Sequence, residues 1–272
     1  MIRTPFRFRR RGVFLLILCV LVALGAASYS WYFEILPQSA ISLLDDLDDP
    51  QHNQIVLLFS PHPDDETIAA GGYLAAAVDA GASVWVALVT DGNKHGLEQQ
   101  RYSEFRIATG LLGIPPEHLI FLNEHDGQLR TRNRQSLEER FAAVVASIHP
   151  TVVIAPYPRD QHPDHAVTGQ VVEALVRDHR LATSTLLYEY LVHYPRFPAP
   201  KHYVPGGYLL PPLRLITLDR VWRRFMLDPD IEQRKLAALR SYRTQLRTPL
   251  LDEILVGLIR QNELFALPTP QE

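Results

Sequence analysis

Short apolar runs recur along this chain, each trailed by a helix-forming stretch, and this alternation restricts the possible folds more than any other feature. Residues 54–60 (QIVLLFS), 83–90 (SVWVALVT), 118–122, 151–155 (TVVIA) and 185–190 each read as a strand. Runs of apolar, β-branched residues without polar alternation suit strands buried on both faces. Helical stretches lie between them at 67–80, 98–112, 136–148 and 166–178, the first two closed by Gly81 and Gly113. Glycine just past a helix takes the left-handed cap conformation without steric cost. Strand and helix alternating at this spacing predict a doubly wound, Rossmann-like α/β domain, with a mostly parallel sheet and helices on both faces. After an irregular, Pro-, Gly- and Tyr-rich stretch at 195–212, two more helical segments are expected around 231–246 and 251–262.

The N-terminus follows different rules. Arg3, Arg7, Arg9, Arg10 and Arg11 form a basic block, and no charged residue occurs from Gly12 to Phe33. About 20 such residues span a bilayer. The positive flank is expected to stay cytoplasmic, sending the rest of the chain across, with Tyr29, Trp31 and Tyr32 at the far interface. A single-pass anchor over residues 1–33 is therefore expected, followed by a linker at 34–53 and a catalytic domain at 54–262. The competing outcome is a secreted domain, released by cleavage near Gly25-Ala26-Ala27.

The single cysteine, Cys19, lies inside the apolar run, which excludes an intrachain disulfide and a cysteine-built metal site. A net charge of −3 and the lack of any nucleic-acid-reading motif argue against a nucleic-acid partner.

Ligands of parallel α/β sheets bind beyond the carboxyl ends of the strands. Two polar clusters stand there. Pro61-His62-Pro63-Asp64-Asp65-Glu66 follows the first strand, and His162-Pro163-Asp164-His165 follows the strand at 151–155. His62 and Asp65 are three residues apart, as are His162 and His165, so each pair can aim at one point from a helical first turn. Imidazole and carboxylate both bind zinc, and catalytic zinc sites use three protein ligands and leave one position open. His62, Asp65 and either His162 or His165 make such a set. Asp64 is left free as a general base, and the remaining histidine is left as a donor to a developing oxyanion. Helix capping by Asp64 and Asp65 is the alternative explanation for a single motif, but it does not account for two motifs each placed behind a buried strand. Among the other histidines, His95 and His125 fall in carboxyl-end loops and are candidates to line the site; the rest, His193 included, read as surface or core residues.

These motifs resemble the two signatures of the LmbE-like, or PIG-L-type, zinc de-N-acetylases. The resemblance extends to Thr90-Asp91-Gly92, to the helix bearing Arg101, Glu104, Ala108, Leu112 and Gly113, to the turn Asp126-Gly127, and to Lys235, Ala238, Tyr242, Thr244 and Gln245. It covers about residues 54–250. It implies that His62, Asp65 and His165 bind zinc and that Asp64 is the general base, later passing its proton toward the amine. It further implies that His162 stabilises the oxyanion, oriented by Asp164, and that Arg101 and Asp126 grip substrate hydroxyls. The implied substrate is an N-acetylated amino sugar or a similar glycan. Another small amide, a non-catalytic sugar-binding module and a structural zinc domain are the rival readings. The chain departs from the family at 156–161, where some members carry a Gly-rich, Tyr-bearing stretch just before the second motif.

Overall fold

The computed structural model describes residues 6–93 and 96–269. One eight-stranded sheet organises the chain: β1 (Asp45–Asp46), β2 (Ile55–Ser60), β3 (Ser83–Thr90), β4 (Leu119–Glu124), β5 (Val152–Pro156), β6 (Leu186–Tyr190), β7 (Arg220–Met226) and β8 (Asn262–Pro268). Their spatial order is β1-β7-β8-β6-β5-β2-β3-β4. β2 to β6 are mutually parallel, and β8 runs antiparallel to both β6 and β7. The mostly parallel α/β architecture expected from the alternation is present.

Successive side chains of a strand point to opposite faces. In β2, Val56 and Leu58 join one buried cluster while Leu57 and Phe59 join the other. Both clusters need a helical cover. α2 (Asp65–Asp79) and α3 (Glu98–Leu111) cover the first, and α4 (Arg134–Ile148) and α5 (Pro163–Arg177) cover the second. The chain winds outward from β2 through β3 to β4, then crosses to β5 on the other side of β2. The strand order thus reverses between β2 and β5, and such a reversal opens a ligand crevice.

α5 packs closely on the end of β5 because Gly169 has no side chain: an added Cβ would lie 2.2 Å from the Pro156 carbonyl oxygen. Gly169→Ala is expected to lower stability by about 1–3 kcal/mol or more through overpacking. Gly110→Ala, on the exposed side of α3 with nothing within 4 Å, is expected to raise it by roughly 0.5–1 kcal/mol. Thermal unfolding of the two variants checks this pair of opposite signs.

Three expectations are corrected here. The segment 34–53 is not a free linker, because Ala40, Leu44 and Leu47 are buried and β1 pairs with β7. The helix expected at 231–246 breaks into α6 (Pro229–Leu239) and α7 (Arg243–Leu246), and α8 (Pro249–Val256) ends well before residue 262. Strands β7 and β8 were not expected, so the sheet extends beyond both ends of the 54–262 boundaries. At the N-terminus, α1 (Phe6–Tyr32) contains a 21-residue stretch, Gly12–Tyr32, that is long and apolar enough to cross a membrane and is nowhere buried.

Candidate active site

Both histidine–aspartate motifs sit at the switch point. The first connects β2 to α2, and the second connects β5 to α5, with His162 at the helix N-cap. Asp65 Oδ2 stands between two imidazoles, 3.1 Å from His62 Nδ1 and 3.0 Å from His165 Nε2. His165 is fully buried, yet neither of its ring nitrogens is in a hydrogen bond. A buried imidazole whose nitrogens make no well-aligned hydrogen bond, and which converges with a second imidazole on one carboxylate oxygen, fits a metal ligand. Two nitrogens and one oxygen are also a donor set that catalytic zinc sites use. His162 lies close enough to His62 and His165 for the three to form a further potential ligand group.

Asp64 lies just outside this convergence. Its φ is 130°, in a region that costs a non-glycine residue about 1–3 kcal/mol and recurs at functional sites. Its side chain makes no helix-capping hydrogen bond, so capping does not explain it. The strained backbone is held from behind. Its N–H donates to Glu66 Oε2 (3.2 Å), and Glu66 also accepts from the hydroxyls of Ser60 (3.3 Å), Thr67 (2.5 Å) and Tyr242. Asp64 is buried, and its carboxylate lies 3.5 Å from Arg101 Nη2. Burial pushes it up to about 8, and the Arg101 guanidinium opposes the rise.

Arg101 reaches the site from α3. Its Nη2 donates to the Pro63 carbonyl (2.8 Å) and its Nη1 to the Gly92 carbonyl (3.2 Å), and it stands 3.5 Å from Asp126. Asp126 also approaches His62 Nε2 at 3.5 Å. Both expected substrate-contact residues are thus gathered beside the cluster. Asp164 is placed differently from expectation. Its carboxylate meets His62 Nε2 at 3.2 Å, not His162, and it accepts from the N–H groups of Gly127 (2.6 Å) and Leu129 (3.1 Å). It therefore orients His62 and pins the Asp126-Gly127 turn. His162 is oriented by the main chain, its Nδ1 accepting from the Asp164 N–H at 3.3 Å.

Charge balance supports the same picture. Burial opposes protonation of His62 and His165, but the facing carboxylates outweigh it and raise them to about 9 and about 10. Asp65 is held well below the usual range by His165 and His62 despite its burial. The buried carboxylates thus favour positive charge at the two imidazoles that face them.

Two residues here were not singled out from sequence. Asp160 is buried and lies 3.6 Å from His165 Nδ1; it also accepts from the N–H groups of His162, Val192 and His193. A carboxylate behind a ligand imidazole fixes its ring and raises its basicity. His193, just past β6, packs its ring 4.6 Å from that of His165. The carboxyl-end rule was the available signal for His193, and the two-residue spacing to His162 was the signal for Asp160. His125 turns to Asp91 (3.1 Å) and is mostly exposed, while His95 lies outside the described residues. A cavity of about 280 Å³ opens over the cluster. His62, Asp64, His162 and His193 line it together with Arg101 and Asp126, and Ile68, Leu97, Leu251 and Leu255 give it an apolar side.

Fold and site together give a switch-point α/β domain with a cluster of histidines and aspartates that could hold a metal ion, and with a separate buried carboxylate, Asp64, beside it. Residues 57–176 match the family model described as PIG-L: GlcNAc-PI de-N-acetylase. It is 31% identical over 130 residues to the Probable N-acetyl-alpha-D-glucosaminyl L-malate deacetylase 2 of Bacillus cereus, covering 43% of this chain and 58% of that protein. It is 28% identical over 126 residues to the diacetylchitobiose deacetylase of Thermococcus kodakarensis, covering 42% and 46%. The chain thus spans about half the length of the curated relatives it matches. Among solved structures, the N,N'-diacetylchitobiose deacetylase of Pyrococcus horikoshii superposes with a TM-score of 0.59 at 21% identity, over 79% of this chain and 84% of that one. The 4-carboxy-2-hydroxymuconate hydratase GalB of Pseudomonas putida superposes with a TM-score of 0.54 at 17% identity, over 80% and 98%. Likeness at this level shows a shared fold, and the hydratase shows that the fold alone does not name a reaction.

Proposed function

We propose that this protein hydrolyses the N-acetyl, or a related N-acyl, group of an amino-sugar-containing substrate, using zinc held by His62, Asp65 and His165. The observation that carries the reading is Asp64: a strained, buried carboxylate beside the cluster, outside the ligand set, with a guanidinium as neighbour. A pure binding module has no need of it. The relatives named as N-acetylglucosaminyl malate and chitobiose deacetylases support the amino-sugar class.

When bound, zinc supplies Lewis acidity that makes water a stronger acid and polarises a carbonyl. Asp64 takes a proton from the attacking water and passes it to the amide nitrogen as the C–N bond breaks, leaving a carboxylate and a free amine. His162 is neutral in this scheme, because burial and the neighbouring His62 and His165 hold its pKa down. With Nδ1 accepting from a backbone N–H, its proton sits on Nε2, which donates to the developing oxyanion. Asp164 holds His62 in place, Asp160 braces His165, and Arg101 and Asp126 receive sugar hydroxyls. The domain is held at a membrane by α1 and faces away from the cytoplasm, or is secreted if α1 is removed.

The test is a panel of N-acetylated and N-propionylated amino sugars, free and glycan-linked, read by appearance of a primary amine. Amine released from sugar amides but not from non-sugar amides supports the reading; the reverse preference overturns it. Arg101 also predicts a pH effect. Asp64 works only when deprotonated, and Arg101 lowers its pKa. Arg101→Ala is therefore expected to move the acidic limb of kcat/KM to higher pH by about one unit or more, measured as a pH–rate profile.

A further inference from the structure

Past His193 the chain enters an irregular segment that reaches β7, and this segment holds the end of α1. The Leu213 N–H donates to the Glu34 carbonyl (2.9 Å) and the Leu36 N–H to the Pro211 carbonyl (3.2 Å). Arg196 Nη1 donates to the Ser30 carbonyl (2.6 Å), and the Arg214 guanidinium lies 3.6 Å from the Tyr32 ring centre. Phe33 packs edge-on against Tyr194. Residues 30–36 are therefore fixed to the catalytic domain rather than separated from it by a tether.

That attachment sets a depth. At 1.5 Å per residue the 21 residues of Gly12–Tyr32 extend about 30 Å, the thickness of a bilayer's hydrocarbon core. Whatever is hydrogen-bonded to residue 34 then lies at the membrane–water boundary. Leu213, Ile216 and Leu218 stand in this position and are 42%, 47% and 99% exposed. Isolated exposed apolar residues are ordinary; three within six residues beside a membrane helix are not isolated. The charge pattern agrees. From His193 to Leu218 the sequence has no Asp or Glu, while Arg196, Lys201 and Arg214 are cationic and Tyr194, Tyr203 and Tyr208 are aromatic. Apolar and aromatic side chains mixed with cations suit the headgroup layer of an anionic membrane.

We propose that the stretch from Leu213 to Leu218 is a second membrane contact, by which the catalytic domain itself rests on the bilayer that holds α1. This rests on α1 being retained as a span. The occupant is the lipid headgroup and acyl boundary, since the patch is continuous with the helix that enters it. Because the same irregular segment starts at His193, one stretch of chain links the catalytic cavity to the membrane surface.

The single native cysteine makes the test direct. In a Cys19→Ser background, Leu218→Cys carries an environment-sensitive fluorophore in the full-length chain, reconstituted in phosphatidylcholine–phosphatidylglycerol vesicles. Leu186→Cys, at the opposite end of β6 and also exposed, is the reference. The native chain labelled at Cys19 reports the span through quenching by mid-bilayer nitroxide lipids. The expected result is blue-shifted emission at 218, with roughly twofold or more the quenching by headgroup-level nitroxide lipids seen at 186. Emission and quenching at 218 equal to those at 186, with Cys19 quenched, overturn the membrane contact while leaving the span intact. Blue-shifted emission without lipid quenching shows that a protein surface covers the patch and also overturns it. A mature chain lacking Cys19 removes the span and the contact together. None of these readouts depends on amide hydrolysis.

Discussion

Asp64→Asn is expected to abolish amide hydrolysis while leaving zinc binding unchanged. The substitution keeps the volume of the side chain and removes only its ability to accept a proton from water. Loss of a general base lowers turnover by about 10²–10⁴-fold. The effect should appear in kcat, because Asp64 acts on the reacting water and does not hold the sugar. Zinc should still bind at one equivalent, since the ligand atoms come from His62, Asp65 and His165. The fold should also tolerate the change: the φ of 130° at this position is held through the backbone N–H, which donates to Glu66 and which Asn retains. A variant with near-normal kcat assigns the base to another group.

His165→Ala is expected to have the second large effect, on metal retention first and on activity as a consequence. It removes one of three proposed ligands from the middle of a buried cluster. Substitution of residues that merely brace a ligand costs about 10–100-fold in metal affinity. Asp160→Asn, which weakens the carboxylate behind His165, is expected within that range. His165→Ala is expected beyond it, so a chelator should strip zinc from it under conditions where the native protein stays loaded. Competition with a metal-binding dye measures all three. Equal affinity in His165→Ala and the native chain contradicts the ligand set. The two substitutions also separate roles: the Asp64 variant stays loaded and inactive, whereas the His165 variant is emptied.

The parts of the fold legible in the sequence were those where one physical demand acted alone. β2, β3 and β5 each lie between parallel neighbours, so uninterrupted apolar runs exposed them. β7 and β8 were hidden by mixed demands. β7 sets Arg220, Arg223 and Arg224 among its apolar residues, and all three make ion pairs. β8 opens with Asn262 and Glu263, both fully buried. Glu263 is there to meet Lys235 at 2.7 Å and the N–H groups of Gly72 and Tyr73, an arrangement that no periodicity reveals.

The site divides in the same way. The spacings within the two motifs, together with the switch-point rule, identified the residues that converge. Residues whose importance comes from long-range contacts stayed hidden. Asp160 matters because the chain returns some thirty residues later to offer it the N–H groups of Val192 and His193. Tyr242 was named by the resemblance without a role; its role comes from reaching Glu66, far away in the sequence. The resemblance implied an Asp164 carboxylate that orients His162, whereas the fold turns it toward His62.

The most direct measurement is acetate release from an N-acetylated amino sugar by the full-length chain, with the zinc content of each sample determined alongside. The native protein should release acetate in proportion to bound zinc, lose the activity with chelator and regain it when zinc is restored. Asp64→Asn should carry the same zinc and release acetate at least about 10²-fold more slowly. Acetate release that persists after zinc is removed, or that stays near the native rate in zinc-loaded Asp64→Asn, would contradict the account.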